Sequence, residues 1–82
     1  MPTPDVIDRV RELHERLEQE PHAALEPVQQ QLRTIVLEPH DAAHYHSLSE
    51  RLQNAYESLE VDHPKLAAVV QATMNALNAA GL

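Results

Sequence analysis

Three of the chain's six histidines, His40, His44 and His46, fall inside the stretch EPHDAAHYHSLSERL, Glu38 to Leu52. Imidazole serves as a metal ligand, a proton carrier or a general base, so this is where chemistry is sought first. His40 and His44 are four residues apart and would share one face of a continuous helix, placed to hold Zn²⁺ or Ni²⁺, with Asp41 or Glu38 adding an oxygen. Three points weaken that reading. His46 would lie on another face. His40 directly follows Pro39, which places it outside the helix. A closed site wants four ligands, and no second cluster supplies them within the chain, so a complete site would have to be shared between two copies. Ser47 and Ser49 lie near His44 and His46, but a nucleophile and base need an orienting group and an oxyanion site that nothing here offers. One glycine in the whole chain rules out a glycine-rich phosphate loop.

The stretch therefore reads first as a polar connector and helix start, with no cofactor and no catalysis expected. A metal-responsive module using His40, His44 and His46 is the alternative. A charged His44 near a helix N-terminus would oppose the helix dipole, so the connector is expected to loosen in mild acid.

The elements around this stretch are helical. The chain has 82 residues and no cysteine, tryptophan or phenylalanine. Its core must be aliphatic, and no disulfide or thiolate metal site braces it. So short a chain makes one domain with a modest core. The formal charge is −7, and protonating all six histidines brings it to −1 (−7 + 6). An acidic chain repels phosphate backbones and anionic bilayers, so neither nucleic acid nor membrane is an expected partner. The N-terminal residues MPTPDVIDRV carry no basic region and no apolar run, which points to the cytoplasm.

Four helices are expected, at about residues 5–20, 26–37, 41–61 and 64–80. The first carries Val6, Val10, Leu13 and Leu17, a narrow stripe like a coiled-coil seam, flanked by the charge pairs Asp5/Arg9, Glu12/Arg16 and Arg11/Glu15. Thr3 is a candidate cap and Pro4 suits the first turn; Pro21 ends the helix. The second carries Leu25, Val28, Leu32, Ile35 and Val36, and the third Tyr45, Leu48, Leu52, Ala55, Tyr56 and Leu59. Two starts compete for the third: Asp41, or Ser47 with Glu50 as a capping box. Gly81 suits a left-handed helix end, closed by Leu82.

The last helix stands apart. From Leu66 to Leu82 there is no charge. Leu66, Val70, Thr73 and Leu77 form one seam, with Val69 and Met74 beside it. Ala68, Ala72, Ala76 and Ala80 form a second line at four-residue spacing. Small side chains let another backbone approach closely, so this line is the expected interface with a symmetry mate.

The C-terminal third, AYESLEVDHPKLAAVVQATMNALNAAGL, resembles DUF4404, a family of small bacterial proteins catalogued as a domain of unknown function. The residues that carry the resemblance are Tyr56, Glu57, Glu60, His63, Pro64, Leu66, Met74, Leu77, Gly81 and Leu82. The resemblance implies a small helical bacterial protein with no assigned activity, and it supplies no catalytic residues. His63 and Pro64 read as a helix stop and restart that sets the angle between the last two helices. The expectation is an all-α antiparallel bundle of three to four helices that completes its core by dimerisation. Its expected role is as an interaction or regulatory module, binding itself or another protein.

Overall fold

The computed structural model describes residues 1–82. Four α-helices form the chain: α1 (Pro4–Gln19), α2 (Glu26–Leu37), α3 (Leu48–Asp62) and α4 (Pro64–Ala79). Two short 3₁₀ turns, Ala23–Leu25 and Ala42–Tyr45, occupy the connections before α2 and α3. Each helix packs on the next, and α4 closes the ring against α1, giving an all-α bundle of 32 × 22 × 18 Å.

Helix ends follow local chemistry. The Thr3 hydroxyl accepts a hydrogen bond from the Val6 amide at 3.2 Å, and Pro4 opens α1 with its ring already at helical φ. At the far end of the chain Gly81 adopts φ +75°. The Leu82 amide donates to the Leu77 carbonyl at 2.8 Å and the Gly81 amide to Asn78 at 3.2 Å. This is a Schellman closure, with Leu82 packed on the core.

The apolar stripes converge. Val6, Val10, Leu13 and Leu17 of α1, Val28, Leu32 and Ile35 of α2, Leu48, Leu52 and Leu59 of α3, and Leu66, Val70 and Leu77 of α4 join one buried cluster. Thr73 is fully buried, and its hydroxyl donates to the Val69 carbonyl one turn back at 2.9 Å. No buried side-chain nitrogen or oxygen lacks a partner. Of the three charge pairs expected on α1, only Asp5 with Arg9 forms, at 3.7 Å. Glu18 instead reaches His14 at 3.4 Å and Arg33 of α2 at 3.5 Å, tying the two helices together.

The expected third helix, 41–61, is corrected at its start. Asp41 does cap, accepting the Ala43 amide at 3.0 Å, but what it caps is the 3₁₀ turn. The α-helix begins only at Leu48. Ser47 stands at its N-cap position with φ +62° and makes no side-chain cap bond, so the capping box with Glu50 does not form. A left-handed Ser47 turns the chain sharply, and this lets Tyr45 and Leu48 both reach the core from different elements.

Candidate functional site

The histidine connector is built from the ends of α2 and α3. His44 Nε2 lies 3.1 Å from Glu38 Oε1 and 3.5 Å from Asp41 Oδ2. His40 and His46 are exposed. The break at Ser47 and the 3₁₀ geometry remove the shared helical face on which His40 and His44 would have met. No group of three or more His, Asp or Glu residues stands where it could hold a metal ion. The structure therefore does not assemble His40, His44 and His46 into the ligand set that the spacing suggested.

The acid-loosening expectation rested on a His44 beside a helix N-terminus; His44 instead stands in the 3₁₀ turn, with the carboxylates of Glu38 and Asp41 at its ring.

What organises the connector is a residue that sequence reading passed over. Gln31 of α2 donates through Nε2 to the carbonyls of His44 at 3.0 Å and His46 at 2.8 Å. Its Oε1 accepts from Arg51 Nη1 of α3 at 2.7 Å. One amide thus satisfies two carbonyls of the turn and joins α2 to α3. Tyr45, 3% exposed, donates its hydroxyl to the Pro39 carbonyl at 2.7 Å. Burial raises the Tyr45 pKa above its ordinary value of 10.0, with Arg11 pulling weakly the other way. Ser49 contacts Asn78 at 3.5 Å and is not part of a histidine pair.

The helix junction is a one-residue joint. His63 ends α3, its amide donating to Leu59 at 2.8 Å, and its carbonyl accepts the Ala67 amide at 2.9 Å to start α4. Pro64 opens α4. The His63 ring lies edge-on to the ring of His22, with centroids 4.5 Å apart.

The alanine line divides. Ala68 is exposed, Ala72 and Ala80 are half-buried, and Ala76 is only 6% exposed, inside this chain's own core. Residues four apart advance by about 400° on a helix, so each step drifts about 40° and the row winds from the surface into the interior. Ala67, not part of the expected line, is also buried. What remains outward is a shallow groove of about 490 Å³ between α3 and α4, lined by Tyr56, Glu60, Ala67, Ala68 and Ala72 among neutral neighbours. No helix is long and apolar enough to cross a membrane.

No curated protein and no solved structure matches the chain. The family model of the domain of unknown function DUF4404 matches residues 6–82. The likeness first seen in the C-terminal third therefore extends through all four helices and includes the histidine connector. The chain belongs to the DUF4404 family of domains of unknown function.

Proposed function

We propose that this chain is a non-catalytic interaction module that associates with a second copy of itself along the α3/α4 groove. The observation that carries the reading is the uncharged surface of α4 beyond Lys65. Leu66 to Leu82 holds no ionisable side chain in a protein of charge −7, yet Ala68 and Ala72 face outward beside Tyr56. Beyond Lys65 in its first turn, α4 offers a charged partner no complement. An uncharged, small-residue helix finds one there, and the rest of α4 is itself such a helix. In an antiparallel, two-fold pairing, the helix dipoles oppose favourably, and Lys65 at the start of one α4 approaches the carbonyl end of the other.

Each chain's stripes already close on a common core. Association is therefore docking of folded chains, and variants in the groove can be tested without unfolding the protein. Size exclusion with light scattering across a concentration series should give twice the 9.2 kDa chain mass for the parent protein. Ala68→Glu and Ala72→Arg, each introduced alone, should return it to the single-chain mass with helix content retained. A single-chain mass for the parent at every concentration would overturn the reading.

A further inference from the structure

We infer that His22 and His63 form a proton-sensitive latch between the α1–α2 connection and the α3–α4 joint. Two independent features meet at this point. First, His22 caps the 3₁₀ turn Ala23–Leu25: its Nδ1 accepts the Ala24 amide at 3.0 Å. An imidazole accepts at Nδ1 only while that nitrogen carries no proton. Second, the His63 ring stands edge-on to the same imidazole at 4.5 Å. Protonation of His22 removes the acceptor and turns Nδ1–H against the Ala24 N–H. Protonation of both rings places two like charges in contact.

The surroundings do not neutralise that charge. Arg16 and Glu20 from the end of α1 and Lys65 from the start of α4 line the cavity beside His63 and Pro64. Two cations and one carboxylate are a poor reception for two more cations. Asp62 precedes His63 in the chain, and Glu26 follows the turn. No contact within 4.0 Å joins either of them to the two rings, in contrast to the carboxylates that hold His14 and His44.

The turn matters because it delivers Leu25, fully buried, into the core and packs on α3. Opening the latch frees the α1–α2 connection while leaving the helices themselves intact. The neutral ring caps and the charged ring does not. The stabilisation is therefore present while the ring is neutral and is lost when acid protonates it.

The test uses His22→Asn, whose side-chain oxygen can accept the same amide two residues on but does not titrate. Hydrogen-exchange protection of the Ala24 and Leu25 amides is measured by NMR at pH 7.5 and pH 5, corrected for intrinsic exchange. In the parent protein, protection of Ala24 should fall about fivefold on acidification, the loss expected for one cap bond. His22→Asn should hold its protection at both values, and His63→Gln should show a smaller fall than the parent. Equal protection of Ala24 at both pH values in the parent, with the protein folded, would overturn the latch. So would an equal fall in the parent and His22→Asn.

Discussion

At the scale of single residues, the histidines that drew attention by spacing are not the ones the fold brings into ring contact. His40 and His46 point outward, and His44 settles between two carboxylates. Tyr45 offers a clean test of the connector. Its hydroxyl bond to the Pro39 carbonyl is part-buried, and replacing it by phenylalanine should cost about 1 kcal/mol in urea denaturation. The alkaline limb carries a second signal. Burial raises the folded Tyr45 pKa above 10.0, so the neutral phenol favours the fold. That contribution is fully present below pH 10.0 and is lost as pH rises through the folded value. Tyr45→Phe should therefore flatten the fall in stability above pH 10, and an identical fall in both proteins would refute the assignment.

At the scale of elements, helix boundaries were legible where one side chain decides them. Thr3 with Pro4, and Gly81 with Leu82, act through bonds to residues three to five positions away. The start of α3 was not legible, because Asp41 and Ser47 both carry the right chemistry for a cap. The choice fell to the packing of Tyr45 and to Gln31 reaching across from α2. Ser47 now holds φ +62° and receives no cap bond in return. Ser47→Gly should thus stabilise the protein by about 0.5–1 kcal/mol, since glycine occupies this region without the Cβ clash. A loss of stability, read from the urea midpoint, would mean that the hydroxyl matters in a way the geometry does not show.

At the scale of the molecule, charge and the proposed docking surface act against one another. Two copies of a −7 chain repel, while the α3/α4 groove that would join them carries one charge, Glu60, among apolar and neutral polar residues. Added salt screens the repulsion and leaves apolar contact intact. The dissociation constant measured by sedimentation should therefore fall as sodium chloride rises from low to physiological strength. An association driven by ion pairs would weaken over the same range.

The all-α fold class and nearly all of the core follow from the sequence by itself. Period, proline placement and caps are local properties, and four aliphatic stripes on so short a chain must be buried against one another. The candidate sites depend on contacts between residues far apart in the chain. Gln31 meeting His44 and His46, His22 meeting His63, and Ala76 turning inward while Ala68 stays out were decided by how the four helices close on one another. No spacing within a single helix encodes the rotation at which its neighbour will pack, so only the tertiary structure could decide them.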